Sequence, residues 1–496
     1  MRMRSHVVPV SAALALACLA LACGGTRQAT SFPGAHLILI SLDTTRADHL
    51  GCYGSRTAAT PALDRLAKGG MLFTDVTTAA TTTLASHTSI MTGLYPHHHG
   101  VPENGWVVGV PNTLLAELLS ARGYRSEAVV GSFALASRFG LDQGFERWDE
   151  RFDLLLHPKL RDQNQRRAAQ VTDAAIAALG RRTGAPLFLL VHYFDPHPPY
   201  DPPAPARAAS PTPDLEALRR LVSKHQKATT GRDHGGLQVV FKGLTRELLR
   251  GATGEVFAED RIFGSLYAGE ISYMDTEIGR LLRALETQGI LERAVVLVVA
   301  DHGETLWEHA DTYNHGLALY QTTVRVPLIL RLPGGLGAGR RIDTPVSTVD
   351  ILPTVLELLG IQPPEKLDGV SLAGLIAGRS LARGPIFSGA TQPADSRFDP
   401  PRPQWRNASR ARAVRDGRWK LIRTPYLDYE ELYDLQADPE ERRNLLLEAD
   451  AGVEREAARL RSLLESWARS ANPLPSFASR EHIEEVRERL RALGYL

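Results

Sequence analysis

From about residue 36 the chain alternates short apolar runs with longer segments of helical spacing. The runs HLILISLD (36–43), PLFLLVHYFD (186–195) and AVVLVVAD (294–301) are apolar at nearly every position, which is typical of strands buried on both faces. Segments such as TPALDRLAKGG (60–70) and ISYMDTEIGRLLRALETQG (271–289) repeat apolar residues at helical spacing. This alternation predicts an α/β fold with a large, mostly parallel sheet sandwiched by helices.

Two segments depart from this alternation. Residues 201–262 are first rich in proline and then polar, and we interpret them as an insertion near the functional site. Near the C-terminus, a hairpin pattern that turns at Asp416-Gly417 is followed by charged helical segments. We therefore predict a large domain over residues 35–385 and a small C-terminal α+β domain, with an antiparallel hairpin and helices, over residues 386–496.

The N-terminus combines positive charge with an apolar run, which is the pattern of an export signal. After MRMR, the run VVPVSAALALACLALAC (7–23) ends at Cys23. This end resembles the lipidation site of a bacterial lipoprotein, although Ala20 stands where leucine is more usual. We expect residues 1–22 to be a signal peptide and Cys23 to be lipidated, which gives membrane contact through the lipid only. The expected location is the bacterial cell envelope, at the outer membrane or cell surface. The alternative is a plainly cleaved signal and a periplasmic or secreted protein.

Composition limits the partners and the cross-links of the protein. The 496 residues include 57 Lys and Arg against 56 Asp and Glu, so we expect no nucleic-acid partner. No window after residue 30 is apolar and long enough to span a bilayer. Of the three cysteines, Cys18 lies in the predicted signal and Cys23 is the lipidation candidate. Because Cys52 is then alone, stability must come from a large hydrophobic core rather than from disulfides.

Three predicted strands end in side chains that can bind metals or move protons. Asp43 ends the first strand, Asp195 and His197 follow the second, and Asp301 and His302 follow the third. These side chains can meet, because ligands bind beyond the carboxyl ends of parallel strands. Taken singly, each aspartate has the simpler explanation of a helix N-cap, and each histidine that of a surface or core residue. Asp43, Asp301 and His302 together form an oxygen and nitrogen set suited to a divalent cation.

The segment TTTLASHTSIMTG (81–93) places several hydroxyl groups in front of a predicted helix. Free N–H groups and the helix dipole favour negative charge at that position. A threonine oxygen there can be a metal ligand and a nucleophile together, because metal coordination lowers the pKa of a hydroxyl. The simpler alternative is that Thr81, Thr82 and Thr83 are N-cap candidates and nothing more.

Six segments follow one another in an order that is specific enough to suggest a family. They are LISLDTTRADHLGCYG, TPALDRLAKGGMLFTDV, TTLASHTSIMTGLYPHHHGV, YFDPHPPY, VVADHGE and VRVPLILRLPG. They resemble the successive motifs of the sulfatase family, within the alkaline phosphatase superfamily, over residues 35–385. The segment EELYDLQADPEERRNL resembles that family's small C-terminal domain. The resemblance implies a metal-dependent hydrolase whose substrate is a small-molecule, glycan or lipid anionic ester.

The chain departs from the family at its nucleophile motif. The family's signature is Cys or Ser, any residue, Pro, Ser or Ala, and Arg, and its first residue is oxidised to formylglycine. The matching residues here are Thr83, Leu84, Ala85, Ser86 and His87. Threonine cannot become formylglycine, because its Cβ carries a methyl group. This difference counts against sulfate-ester hydrolysis by the family's usual route.

The expected metal site also differs from the family pattern. The family often has paired aspartates where this chain has Asp43-Thr44, and Asp-Asn where it has Asp301-His302. One carboxylate is lost and one imidazole is gained, which favours zinc or manganese over calcium or magnesium. This set resembles that of superfamily phosphotransferases and phosphonate or phosphodiester hydrolases, which use an unmodified threonine. The expected ligands of one divalent cation are Asp43, Thr83, Asp301 and His302.

Histidines of the later motifs match family residues that handle the ester. His197 matches a histidine that contacts the ester oxygens, and His315 falls where sulfatases have a lysine or histidine near the leaving group. We expect both to orient the anion and to assist the leaving oxygen, and His87 is a further catalytic candidate. A second cation held by Asp195, His197 and His315 is an alternative. Arg46 is expected to support the loop around the metal.

Three functions follow from these observations. The first is hydrolysis of phosphodiester, phosphonate or phosphate esters with Thr83 as a metal-bound nucleophile. Its variant is transfer of a phosphorylated headgroup onto an envelope glycan. The second is a sulfatase that works without formylglycine. The third is a non-catalytic binding protein on the same scaffold, against which the joint presence of Asp43, Thr83, Asp301 and His302 counts. We expect the first function.

Overall fold

A computed structural model describes residues 31–152, 165–181, 184–198, 200–203, 206, 259–306, 308–310, 315–391, 410–448 and 450–478. The strands of these residues are β1 His36–Leu42, β2 Met71–Phe73, β3 Val76–Thr77, β4 Trp106–Val107, β5 Arg125–Val129, β6 Arg147–Asp149, β7 Leu187–Tyr193, β8 Ala294–Ala300, β9 Leu328–Arg331, β10 Arg340–Ile342, β11 Val346–Ser347, β12 Ile386–Gly389, β13 Arg412–Asp416, β14 Trp419–Thr424, β15 Tyr429–Asp434 and β16 Phe477–Ala478. The helices are α1 Pro61–Lys68, α2 Thr83–Thr92, α3 Pro96–His99, α4 Leu115–Ser120, α5 Ala168–Leu179, α6 Glu259–Thr287, α7 Gln321–Val324, α8 Ile351–Leu358, α9 Ala373–Ile376 and α10 Ala451–Arg469.

The large sheet contains eight strands in the order β10-β2-β9-β8-β1-β7-β5-β6. Strands β8, β1, β7, β5 and β6 form a continuous parallel block, and β9 runs antiparallel to both of its neighbours. Strands β7 and β8 are buried at every position, as their continuous apolar runs predict. Helix α6 packs against α1 and α5, and α2 packs against α8. The predicted α/β fold with a mostly parallel sheet is confirmed.

A second, antiparallel sheet joins β12, β13, β14 and β15 in chain order. The predicted hairpin is present, with Asp416 paired to Trp419 and Gly417 at φ 59° in the turn. Helix α10 packs its apolar face on this sheet, and Leu460 and Leu464 lie in the shared core.

The pattern of EELYDLQADPEERRNLL (430–446) predicts a strand, a turn and the start of a helix, and the predicted helix start is wrong. That segment contains β15 and a short 3₁₀ turn, Leu445–Leu447, and the helix begins only at Ala451. The side chain of Asn444 accepts hydrogen bonds from the N–H groups of Leu432 and Leu446, both at 3.1 Å. These bonds tie the segment to β15 and keep it from continuing as a helix.

Several predicted features lie outside the described residues. They include the signal peptide over residues 1–22, the lipidation candidate Cys23 and most of the insertion predicted over residues 201–262. Among the described residues, no helix combines the length and the hydropathy needed to cross a bilayer. The boundary between residues 385 and 386 stays a prediction.

A buried ion pair lies where the second sheet contacts the start of α7. Lys420 Nζ lies 2.6 Å from Glu441 Oε1, and both side chains are at most 3% exposed. The other oxygen of Glu441 accepts a hydrogen bond of 2.6 Å from the backbone N–H of Gln321, at the start of α7. Loss of the ammonium group would leave a carboxylate buried without its counterion.

We expect Lys420→Met to lower the free energy of unfolding by about 3–5 kcal/mol, the usual effect of breaking a buried pair. The double variant Lys420→Met/Glu441→Gln should recover most of this loss, because it removes the uncompensated charge and keeps an acceptor for Gln321. Chemical denaturation of the two variants measures both values. A loss below about 1 kcal/mol in the single variant would place the pair in the range of exposed ion pairs and contradict the expectation.

Candidate active site

The candidate site lies beyond the carboxyl ends of β1 and β8, two neighbouring parallel strands. Leu42 pairs with Ala300 in the register of these strands, so Asp43 and Asp301 leave the sheet side by side. Between the two turns, the N–H of Thr44 donates to Asp301 Oδ1 at 3.2 Å. Thr44 adopts φ 47°, which is uncommon for a β-branched residue and marks a constrained turn.

Thr83 is the first residue of α2, and its side chain is within reach of this pair. Its Oγ1 lies 3.4 Å from Asp43 Oδ2, and the residue is fully buried. The N-cap position belongs to Thr82, whose side chain makes no cap hydrogen bond. Asn104 provides the hydrogen bond that the Thr82 side chain does not make, because its Oδ1 accepts from the N–H of Leu84 at 2.8 Å. Sequence reasoning missed Asn104, which lies 21 residues after Thr83.

Each of the two carboxylates accepts hydrogen bonds at one oxygen, and its other oxygen has no hydrogen-bond partner among the described residues. Asp301 Oδ1 accepts from the N–H groups of Thr44 at 3.2 Å and His302 at 2.8 Å. Asp43 Oδ2 faces His192 Nε2 at 3.2 Å in addition to Thr83. Asp43 Oδ1 and Asp301 Oδ2 are buried and have no hydrogen-bond partner among the described residues.

His302 adds a third donor atom to this pair. Its Nδ1 faces the carbonyl oxygen of Gly303 at 3.0 Å, and because a carbonyl only accepts, Nδ1 carries the ring proton. Nε2 therefore carries the lone pair, and it is buried without a hydrogen-bond partner in the described structure. Ligand atoms of Asp43, Asp301 and His302 all lie within 4.8 Å of one another. Two carboxylate oxygens and one imidazole nitrogen with open lone pairs fit a divalent cation.

The electrostatics of the site also fit a cation. Burial raises the pKa of Asp43 to about 7 and the pKa of Glu304 to about 8, and it raises the pKa of Asp301 as well. The guanidinium of Arg46 forms ion pairs with Asp48 at 2.7 Å and with Glu308 at 2.6 Å, and its charge lowers the pKa of Glu304 by less than burial raises it. Asp43 and Asp301 have no lysine or arginine ion-pair partner among the described residues, so a bound cation would compensate their charge.

Arg46 connects the two loops that follow β1 and β8. Its Nη1 donates to the carbonyl oxygen of Glu304 at 3.2 Å and to the Glu308 carboxylate, both in the loop after β8. Its backbone N–H donates to the hydroxyl of Tyr267 at 2.9 Å, and that hydroxyl donates to the carbonyl of Thr44 at 2.6 Å. The turn after β1 is thus anchored to β8 and to α6.

A second cluster, His87, His192 and Asp301, also brings donor atoms within 4.8 Å, but its histidines have no open lone pair. His192 Nδ1 accepts the N–H of Gly131 at 3.3 Å, so Nε2 carries the proton and donates it to Asp43. Burial lowers the pKa of His192 to about 4, which keeps this ring neutral. Sequence reasoning missed His192; the one available signal is a histidine inside an otherwise apolar strand.

His87 lies behind Thr83 rather than in an open part of the site. Its Nδ1 donates to the carbonyl oxygen of Thr83 at 2.7 Å, and its Nε2 contacts the hydroxyl of Ser41 at 2.8 Å. Burial lowers the pKa of His87 to about 4. With both nitrogens engaged and the ring neutral, His87 holds the first turn of α2 and lacks the open nitrogen that proton transfer to an ester needs.

His197 and His315 meet beside the cation site. The ring of His315 stacks on His302 with centroids 4.7 Å apart and contacts His197 edge-on at 4.8 Å. His315 Nδ1 lies 2.9 Å from Glu304 Oε2, a carboxylate that sequence reasoning missed although it ends the motif VVADHGE. Asp195 is not part of this group among the described residues; its Oδ1 accepts the N–H of Ala168 at 3.1 Å. The alternative second cation at Asp195, His197 and His315 thus lacks a gathered ligand set.

Comparison with known proteins agrees with this architecture. The family model described as Sulfatase matches residues 35–361, and the one described as N-sulphoglucosamine sulphohydrolase, C-terminal, matches residues 311–468. An arylsulfatase of Clostridium perfringens is 26% identical, over 70% of this chain and 79% of its own. An N-acetylglucosamine-6-O-sulfatase of Bacteroides thetaiotaomicron is 26% identical, over 89% of this chain and 88% of its own.

Solved structures show the same fold. The phosphonate monoester hydrolase of Agrobacterium radiobacter aligns with a TM-score of 0.67 at 23% identity, over 88% of this chain and 96% of its own. Because the sulfatase model covers more than half of the sequence, and because the relatives are ester hydrolases, the chain belongs to the sulfatase family of hydrolases.

Proposed function

We propose that this protein is a metal-dependent hydrolase of anionic esters that uses Thr83 as its nucleophile. Its preferred substrates are phosphodiester, phosphonate or phosphate esters rather than sulfate esters. The observation that supports this function best is the position of an unmodified threonine hydroxyl, fully buried at the N-terminus of α2 and 3.4 Å from Asp43. Phosphoryl transfer needs alignment and charge neutralisation more than covalent help, which suits such a site.

Asp43, Asp301 and His302, together with Thr83, would hold the cation. Their mixed oxygen and nitrogen set favours zinc or manganese over calcium or magnesium. A divalent cation bound there supplies positive charge to an ester oxygen and lowers the pKa of a hydroxyl bound to it. His192 supports this arrangement by donating to Asp43 Oδ2, so that Oδ1 is the oxygen left for the cation.

The other steps of the proposed reaction are assigned to residues of the chain. The N-terminus of α2 stabilises the negative oxygens of the ester. Thr83 attacks in line, a bond forms between its oxygen and phosphorus, and the bond to the leaving oxygen breaks. The hydroxyl proton of Thr83 moves toward Asp43 Oδ2, and His315 donates a proton to the leaving oxygen. Water then attacks phosphorus, the bond from phosphorus to the Thr83 oxygen breaks, and Asp43 returns its proton to that oxygen. His315 accepts the proton that water loses, and His197 orients the anion.

A sulfate ester is the second candidate substrate, because relatives at 26% identity are named as sulfatases. In that case Thr83 would act without formylglycine. Transfer to an acceptor hydroxyl in place of water is a variant of the first function. Export and lipidation at Cys23 remain part of the proposal and rest on the N-terminal pattern alone.

A substrate panel tests the proposed function. The purified protein, loaded with Mn²⁺ or Zn²⁺, is assayed with p-nitrophenyl esters of phosphate, methyl phosphate, phenylphosphonate and sulfate. We expect the phosphorus esters to have the highest kcat/KM. A preference for the sulfate would support the second candidate, and turnover of none of them would contradict both.

We expect Thr83→Ala to lower kcat by about 10⁴-fold or more, because it removes the nucleophile. Thr83→Ser keeps a hydroxyl at the same position and should retain part of the activity. The matched control is Thr88→Ala, a buried threonine of α2 whose hydroxyl only donates to the carbonyl of Leu84 at 2.7 Å. Unchanged turnover in Thr83→Ala would exclude Thr83 as the nucleophile.

Cation binding should stabilise the protein more at high pH. The folded-state pKa values of Asp43, about 7, and Glu304, about 8, exceed the ordinary values of 3.8 and 4.5. The metal-free folded state therefore binds more protons than the unfolded state, so its stability falls as the pH rises from about 4 to about 8. A cation compensates the carboxylate charge and removes most of this loss.

Thermal unfolding of the chelator-treated protein with and without Mn²⁺ measures this effect. We expect a larger increase in Tm at pH 8 than at pH 5, and none in Asp301→Asn. The exposed carboxylate of Asp343 provides the control, since Asp343→Asn should leave the increase in place. An equal shift at both pH values would contradict the expected charge compensation.

A further inference from the structure

Glu304 is a buried carboxylate to which the proposed mechanism gives no role. It is fully buried, and its Oε2 lies 2.9 Å from His315 Nδ1. Its other oxygen, Oε1, has no hydrogen-bond partner among the described residues. Burying a carboxylate costs free energy. We therefore expect that the position of Glu304 is explained by a contact in which its negative charge takes part.

The contact with Glu304 distinguishes His315 from its two neighbouring imidazoles. His302 Nδ1 faces the carbonyl oxygen of Gly303 at 3.0 Å, and His197 Nδ1 faces the carbonyl oxygen of Pro198 at 2.7 Å. His315 Nδ1 alone among these three faces a carboxylate. A carboxylate partner orients an imidazole and increases its basicity more than a neutral carbonyl does.

The backbone next to His315 is fixed from two sides. The carbonyl oxygen of Gly316 accepts the hydroxyl of Thr81 at 3.1 Å, from the loop that leads to Thr83. It also accepts the N–H of Thr391 at 2.6 Å and its hydroxyl at 3.0 Å, from the residues that follow β12. Stacking on His302 and the bond to Glu304 restrict the His315 side chain itself.

We propose that Glu304 is a positioning residue that holds His315 with Nε2 toward the leaving oxygen of the ester. The proposal rests on the proposed function, in which His315 is the proton donor. As the bond between phosphorus and the leaving oxygen breaks, the proton on His315 Nε2 passes to that oxygen. The Nδ1 proton stays in its hydrogen bond to Glu304, and the ring ends neutral. Glu304 does not contact the ester.

A positioning role of Glu304 predicts that the effect of its substitution on kcat depends on the leaving group. A merely structural role does not predict this dependence. A p-nitrophenyl leaving group departs without a proton, whereas a phenyl or alkyl leaving group needs one. We expect Glu304→Gln to lower kcat for phenyl and methyl esters by about 10²-fold and for the p-nitrophenyl ester by less than about 10-fold. KM and the content of bound Mn²⁺ should stay close to those of the unsubstituted protein.

Three further variants complete the experiment. His315→Ala should show the same leaving-group dependence, and the double variant Glu304→Gln/His315→Ala should be no slower than His315→Ala alone, because the two residues act as one unit. Glu292→Gln is the control, since Glu292 is an exposed carboxylate that pairs with Arg331 at 2.6 Å away from the site. It should keep the rates of the unsubstituted protein for every ester.

A measurement without turnover checks the hydrogen bond itself. In protein labelled with ¹⁵N-histidine, the Nδ1 proton of His315, assigned by its loss in His315→Ala, should resonate downfield and shift upfield in Glu304→Gln. An unshifted resonance would overturn the proposal. Equal loss of rate for all leaving groups, or loss of bound Mn²⁺, would also overturn it and make Glu304 a support of the cation site. Activity of Thr83→Ala would refute the proposed nucleophile and leave the leaving-group test of Glu304 intact.

Discussion

Two carboxylates without access to water, Asp43 and Asp301, stand side by side at the ends of neighbouring strands, and the site is arranged around the cost of burying them. Parallel pairing of β1 and β8 forces this proximity. Each carboxylate has one oxygen held by N–H, imidazole or hydroxyl donors and presents its other oxygen without a partner. A cation would offset this charge, and the strained turn at Thr44 is tolerated because its N–H stabilises Asp301.

Each histidine around Asp43 and Asp301 has a role that depends on the hydrogen bonds of its ring nitrogens. His302 donates Nδ1–H to a carbonyl and so presents Nε2 to the candidate cation site. His192 accepts an N–H at Nδ1 and so donates at Nε2 to a carboxylate. His87 uses both nitrogens to hold the segment that carries Thr83. The same side chain can therefore be available to a cation, donate to a carboxylate or hold a backbone segment, depending on its local hydrogen bonds.

The smaller antiparallel sheet takes part in the site. Thr391, which follows β12, binds the carbonyl oxygen of Gly316 next to His315, and Thr81 binds the same oxygen from the nucleophile loop. Glu441 accepts from the N–H of Gln321 a few residues further along. Gly316, next to His315, is thus held by the segment that precedes α2 and by the residue that follows β12, so the position of the expected proton donor depends on both.

The sequence by itself determined the three adjacent strands β8, β1 and β7 of the large sheet, the strand ends that carry Asp43 and Asp301, and the helix that begins near Thr83. It could do so because apolar periodicity is local, and because parallel strands bring their carboxyl ends to one edge. It did not reveal Glu304, His192 or Asn104, nor the engagement of both nitrogens of His87. Those roles depend on which atoms lie within about 3 Å after folding, for example His192 and Asp43, which are 149 residues apart. Only the tertiary structure decides such contacts, because a hydrogen bond depends on distance and direction, and residue type alone specifies neither.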